Sequence, residues 1–513
     1  MNETAASRTT FSRPLANRPP AYAELEGRFH RWSALKDGRA VLDWDTAVMM
    51  PAGGAEARAE QMAALDVACH GILADPSLGE LLAQAADGAG DLDPWQQANL
   101  GEMRRLWIHA TALAPDLVEA LAKAVARCET IWRKARPAAD FAMIRPQLET
   151  LLALVRQAAA AKAEKLGCSA YEALIDEFEP GMRTDEIDRL FAGLAFLPAL
   201  REQALAKQAR APAPLRDEGP FPLAAQQALG RKLMGILGFD FQHGRFDVSL
   251  HPFCGGVHED VRITTRYRED DFVSALMATL HETGHAMYER GRPAAWLYQP
   301  VGYARGMAIH ESQSLLIEMQ VCRSREFLGF LSPLLQDAFG GESGAWSPEN
   351  LQRLYARVEP GFIRVDADEV CYPSHVILRY RLEKALIAGD LSLGDLPGAW
   401  NDGMKELLGI VPPDDRLGCL QDIHWFAGAW GYFPTYTLGA MTAAQLYDAA
   451  KRAVPEIPAS VARGDFKPLM VWLSQHVHGQ GSRWSSVELV TRASGKPLDP
   501  GIFRAHLERR YLV

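Results

Sequence analysis

Five consecutive residues, His281-Glu282-Thr283-Gly284-His285, constrain this chain more tightly than anything else in it. The pattern has chemical meaning only on a helix. Four residues advance a helix by ~400°, so the two imidazoles project ~40° apart, one turn above the other on a single face. A tetrahedral metal takes ligands in that arrangement. Glu282 projects ~100° away from His281, near such a metal without having to bind it, where it can take a proton from metal-bound water and pass it to a leaving amine. The flanking residues agree: a helical apolar period runs from Asp271 through Phe272 and Leu276, and Arg290 with Gly291 supplies a basic last turn and a glycine stop. About 0.02 HExxH patterns are expected by chance from this composition. Two solvated histidines on a polar face is therefore the weaker reading.

The third ligand decides the class of site. No His follows at the spacing of the HExxHxxGxxH type, and Arg292 and Trp296 stand downstream instead. The chain has 7 cysteines, scattered and without a CxxC, which excludes a thiolate zinc site and a disulfide framework. Any metal is then held by His and carboxylate. His310-Glu311-Ser312-Gln313 opens a new apolar-periodic segment through Leu315, Ile317 and Met319, with Pro300, Gly302 and Gly306 before it to turn the chain back. Glu311 is the favoured third ligand, in a two-His, one-Glu site with water in the fourth position. One turn on from Glu311 stands Leu315, so no carboxylate is identified there to orient a ligand histidine.

At 513 residues the chain has room for roughly three domains or one large enzyme body. Its net charge of -10 does not suit a duplex-binding surface, and no run of ~18 apolar residues marks a membrane span. Residues 1–20 read as a mobile arm without a signal-peptide core, which points to the cytoplasm. From 21 to 208 the text is helical; Pro115-Asp116 opens one segment whose Leu117, Leu121, Val125, Cys128 and Trp132 share a face. Residues 209–222 are a proline-rich loop, and further loops are expected at 338–348 and at Pro412-Pro413. Alternation in Phe246, Val248 and Leu250, and again in Val261, Ile263, Thr265 and Tyr267, predicts a small antiparallel hairpin joined by a loop over 251–260. The expected architecture is mainly α, a single body with 21–208 as a helical covering layer and 223–513 as the catalytic part.

Six ordered motifs in the second half resemble the carboxypeptidase Taq family of zinc metallocarboxypeptidases. They are His251-Pro252-Phe253; Asp260, Arg262 and Thr264 of DxRxT; HExxH; His310 to Gln313; Ile363, Arg364, Ala367 and Asp368 of IRxxAD; and Gly418, Gln421, Asp422, His424 and Trp425 of GxxQDxHW. The resemblance implies a mostly helical fold with a deep cleft, a few strands near the metal and homodimeric assembly. It also implies zinc, with cobalt as a substitute, and removal of single residues from peptides with a free carboxyl terminus at broad side-chain tolerance. The amino-terminal third carries no matching motif, and its role as a cover comes from the family alone.

Such an enzyme must also stabilise an oxyanion and recognise a terminal carboxylate. His424, Tyr432 and Tyr436 are the oxyanion candidates, on a segment whose aromatic density equally suits core packing. A guanidinium matches a carboxylate. Arg364 is the first choice because the family's motif places it, and Arg262 the second; Gln421 and His251 are candidate contacts to the substrate backbone or the cleft wall. Asp260 and Arg262 could equally form an ion pair that fixes the hairpin. Two other activities fit the same metal site: an endo-oligopeptidase, and a non-catalytic peptide-binding scaffold.

Overall fold

The computed structural model describes residues 19–216, 219–340 and 344–513. The expected arm therefore lies outside the described residues, apart from Pro19 and Pro20. The first helix, Pro20–Val48, starts on a proline, whose missing N–H costs nothing at that position. Its Tyr22, Leu25, Phe29 and Trp32, spaced by three and four, pack on Leu73, Leu78, Leu82 and Met103. This amino-terminal layer has a core of its own.

The next helices join a different core. Pro115–Ala138 ends at Ala139 with φ 53°, and Phe141–Leu166 begins where the Asp140 side chain accepts from Met143 N at 3.1 Å. Their buried residues, Cys128, Leu148, Leu152 and Val155 among them, share one cluster with Val376, Trp400, Phe426 and Leu438 from the second half. A further cluster surrounds the HExxH helix, through Leu276, Leu280 and Tyr288.

Three strands lie against that helix: β1 (Gly244–Val248), β2 (Phe253–Val257) and β3 (Asp260–Thr265), in the order β1-β3-β2. The expected antiparallel pairing of the two alternating runs is corrected here. β1 runs parallel to β3, with Phe246 opposite Ile263, and the hairpin is made by β2 and β3, with Cys254 opposite Ile263. Part of the expected 251–260 loop is thus a strand. The cause is Gly255-Gly256, which looks like a loop. Gly256 sits at φ 85°, and a Cβ there would lie 2.1 Å from Asp260 O, so the glycine lets the tight turn at His258-Glu259 close. With β2 paired to β3 by that turn, β1 reaches the other edge of β3 only in the parallel sense.

The HExxH helix spans Phe272–Gly291, and the Asp271 carboxylate caps it by accepting from Ser274 N at 3.1 Å. It ends where the sequence places the stop, for another reason. Gly291 is the last helical residue, not a left-handed cap, and a Cβ on it would lie 2.6 Å from His478 Cβ. Close packing selects this glycine.

Candidate active site

The candidate metal ligands converge because three helices approach within the reach of missing side chains. A Cβ on Gly284, inside the HExxH pattern, would lie 2.5 Å from Gln313 O on the helix Met307–Leu315. On the other side of that helix a Cβ on Gly439, in the helix Pro434–Ala453, would lie 2.9 Å from Glu311 Cβ. Glu311 is thereby pressed toward the two histidines. Its Oε2 stands 3.5 Å from His285 Nε2 and 3.9 Å from His281 Nε2, and one ligand atom of each residue lies within 4.8 Å of the others. Bonds of ~2.0–2.1 Å in a tetrahedron separate ligand atoms by ~3.4 Å, so the three donors fit a zinc-sized ion with little adjustment.

The far nitrogens of both histidines are held. His281 Nδ1 meets Glu318 Oε2 at 3.0 Å, and Glu318 Oε1 accepts from Arg323 Nη2 at 2.7 Å. His285 Nδ1 meets His310 Nδ1 at 2.7 Å, and His310 Nε2 meets Glu289 Oε1 at 2.9 Å, beside Arg292. With His285 Nε2 turned toward the ligand cluster, its Nδ1–H donates to His310, whose Nε2–H donates to Glu289. Burial works against the charge on Glu289, but Arg292 and His310 overcome it and hold the carboxyl well below its usual range. Burial also pushes His285 down to about 4. For His281 the Glu318 and Glu311 carboxylates outweigh burial and raise it to about 10.

Glu282 is buried next to this cluster, and that burial, with Glu311 and Glu318 nearby, outweighs His281 and pushes its carboxyl up to about 7. A carboxyl poised there can exchange a proton near neutral pH. A cavity of about 210 Å³ opens between the first helix and β2, lined by Lys36, Asp37, Cys254, Glu289, Arg292 and His310.

A second polar cluster faces Glu311 from the carboxyl-terminal side. Arg364 Nε and Nη2 donate to Asp422 Oδ1 at 3.1 and 2.8 Å, and Nη1 donates to Tyr372 OH at 3.1 Å. Arg379 Nε donates to Asp422 Oδ2 at 2.6 Å. Two buried guanidiniums thus share one carboxylate, leaving a net positive charge. Burial lowers Arg379 to about 10, whereas Asp422 keeps Arg364 raised despite its own burial. Tyr436 lies under Arg364, its ring 4.5 Å from the guanidinium carbon, and its hydroxyl meets His424 Nε2 at 3.1 Å. Burial drives His424 down to about 4 and Tyr436 up to about 12, so each is neutral near pH 7. Tyr432 packs on His424 and Tyr436, at 5.5 and 5.1 Å between ring centres.

The sequence profile of the carboxypeptidase Taq (M32) metallopeptidases matches residues 24–511. The chain belongs to this family. The thermostable carboxypeptidase 1 of Thermus thermophilus is 38% identical over 487 residues, covering 92% of this chain and 94% of that one. The solved structure of Trypanosoma cruzi metallocarboxypeptidase 1 superposes with a TM-score of 0.94 at 41% identity, covering 96% and 99% of the two chains. That of the M32 carboxypeptidase from Deinococcus radiodurans R1 gives 0.90 at 36%, covering 96% and 100%. As an M32 member the chain is a metallocarboxypeptidase with a metal cofactor, and its mainly helical fold with one small mixed sheet is that of its structural neighbours.

Arg262, Gln421 and His251 lie outside the ligand cluster. Arg262 pairs with Asp260, Nε to Oδ1 at 3.0 Å, and its guanidinium carbon stacks on Trp44 of the first helix at 4.6 Å. Gln421 accepts from Arg364 N at 2.9 Å and donates to Phe362 O and Leu417 O, so it braces the loop behind Arg364. His251 is exposed, and its carbonyl is held by the hydroxyls of Ser249 and Thr264. Glu318, Glu289, Arg379 and Tyr372 have no role in the sequence reading. One of them had a signal: Glu289 stands four residues after His285, on the same helix face. Among the described residues no helix is long and apolar enough to cross a membrane.

Proposed function

We propose that this metallocarboxypeptidase holds zinc between His281, His285 and Glu311 and hydrolyses the last peptide bond of peptides of varied sequence, with Glu282 as general base. The observation that carries the reading is Glu282 itself: a buried carboxyl raised to about 7, beside three converging donors. Zinc in such a site supplies Lewis-acid chemistry, making water acidic enough to react near neutral pH and polarising a carbonyl. The Glu282 carboxylate takes the proton of the attacking water and returns it to the departing amine nitrogen. Glu318 and His310 keep the two imidazoles oriented through this transfer. Tyr436, neutral and hydrogen-bonded to His424, donates its hydroxyl proton toward the developing oxyanion, with Tyr432 packed beside it.

The terminal carboxylate of the substrate is received at the positive cluster of Arg364, Arg379 and Asp422, through Arg364 and Tyr372. Because Asp422 occupies one edge of Arg364, the charge excess supports this assignment, not a free fork. Arg262, paired with Asp260, and Gln421, engaged by both its amide oxygen and nitrogen, act as positioning residues, and exposed His251 meets the substrate backbone at the cleft wall. On the family resemblance we also propose cobalt as a substitute metal, a homodimer and a cytoplasmic setting.

Product analysis on one short peptide, free and amidated, with and without chelator, tests this function. Single-residue release from the free peptide alone, abolished by chelator, is expected; internal cleavage of both peptides would make the enzyme an endo-oligopeptidase. Arg364→Ala should raise KM at least tenfold for the free peptide. An equal loss on slow hydrolysis of the amidated one would make Arg364 structural.

A further inference from the structure

One ion pair behind the metal ligands lies a cavity of about 350 Å³ whose wall includes Arg323, Arg325, Glu326, Lys451, Arg509 and Arg510. None of the residues placed above against substrate lines it. Two of its cations are already neutralised, Arg323 by Glu318 at 2.7 Å and Arg510 by Glu369 at 2.9 Å. Arg325, Lys451 and Arg509 make no ion pair among the described residues, and Glu326 is the acidic residue in the wall. Among the side chains of the wall, three cations against one acid leave an excess of positive charge in a concave site. Such an excess is unfavourable until an anion enters, because walls of low dielectric focus the field.

Local structure sharpens this. Lys451 is held with its ammonium 4.5 Å from the Tyr447 ring centre, and burial, then the charges of Arg509 and Arg510, depress its pKa against the opposing pull of Asp448 and Glu326. The like charges are therefore crowded, not dispersed. Arg325 is the first residue of the helix Arg325–Phe339, where the helix dipole disfavours a cation and favours an anion. Arg509 stands in the last turn of the helix Pro500–Tyr511, a position that suits a cation without further cause. The volume exceeds what a single inorganic ion fills and falls in the range of small-molecule pockets.

We propose that this cavity binds a tetrahedral dianion, carried as a phosphate monoester, between Arg325, Lys451 and Arg509. Guanidinium forks and an ammonium are the groups that recognise phosphate oxygens. Arg323 would sit beside the bound anion while still holding Glu318, so the site lies one side chain from His281.

The test is calorimetric titration of the metal-loaded full chain with inorganic phosphate and with ribose 5-phosphate, each against sodium chloride at equal ionic strength. Saturable binding of both is expected, tighter for the sugar phosphate, because the ester fills volume that the free ion leaves empty. Lys451→Gln with Arg509→Gln should weaken both at least tenfold and leave peptide hydrolysis without phosphate unchanged; Arg325→Gln alone gives a milder second variant. No saturable heat beyond the chloride reference would overturn the proposal. So would unchanged affinity in the variants, which would put the phosphate at some other cationic site.

Discussion

Glu318 serves two partners at once, and its position explains much of how the centre is held. One oxygen meets His281 Nδ1 and the other accepts from Arg323, so the carboxylate is pinned at both ends before it orients the ligand. Partners of this kind are worth 10–100-fold in metal affinity or activity. Glu318→Gln keeps the shape and one acceptor but removes the charge, and is expected to weaken metal binding by about that factor in a chelator competition. Glu282→Gln should behave oppositely: metal retained at full occupancy, turnover reduced by about 10²–10⁴-fold. Glu311→Ala should lose the metal outright. Equal metal affinity in wild type and Glu318→Gln would remove Glu318 from the orienting role. The convergence of His281, His285 and Glu311 was legible in the sequence, since helical spacing brings the two histidines to one face and a turn rich in glycine precedes Glu311. Glu318 was not, because Leu315 closes the first turn and the next passes through a wide π-helical segment, Leu316–Val321, that a regular period does not describe.

The segment carrying His424, Tyr432 and Tyr436 is an element held by one buried acid. Glu383, on the helix Tyr372–Ala388, accepts from Trp425 Nε1 at 2.6 Å and from Gly431 N, flanking His424 on one side and Tyr432 on the other. Burial outweighs these donors and raises its carboxyl from 4.5 to about 7. Between those values the folded chain keeps a proton that the unfolded chain has released, so stability falls as pH rises through the window, by ~3 kcal/mol in all. Glu383→Gln should remove that slope: in urea unfolding, the wild type minus variant difference should drop by ~3 kcal/mol from pH 4.5 to pH 7.5. A difference that does not change with pH would show that Glu383 is charged throughout. Sequence reading could see that this segment mixes core aromatics with glycines but not which acid fixes it, because Glu383 is 42 residues from Trp425. The sheet was hidden for a related reason. Helices announce themselves through Pro115, Asp140 and Asp271 at their starts, whereas the parallel pairing of β1 and β3 depends on where Gly256 lets the hairpin turn.

Across the whole molecule, packing divides the stretch read as one covering layer. Helices from 115 to 208 share a core with the helices that carry Arg379 and Tyr436, while residues 20–111 keep a core apart. We propose that only this first part works as a cover, with the rest integral to one catalytic body. Its polar attachments are buried or part-buried, with Arg105 and His109 meeting Asp176 on one side and Asn99 at the centre of the other. Asn99 Nδ2 donates to Gln299 Oε1 at 3.0 Å and Asn99 Oδ1 accepts from Val301 N at 3.1 Å, with Arg305 on Glu102 at 2.6 Å and Tyr303 on Ser33 at 2.7 Å nearby. Asn99→Ala leaves the Val301 amide without its acceptor, a loss of about 1–3 kcal/mol. Because the cover has its own core, that loss should open the attachment without melting either part. Deuterium uptake should rise in the first helix and at 299–303, while the HExxH helix and the helices from 115 to 208 keep their protection. Uptake rising equally everywhere would mean that cover and body unfold as one cooperative unit, and that residues 20–111 are as integral to the body as the helices after them.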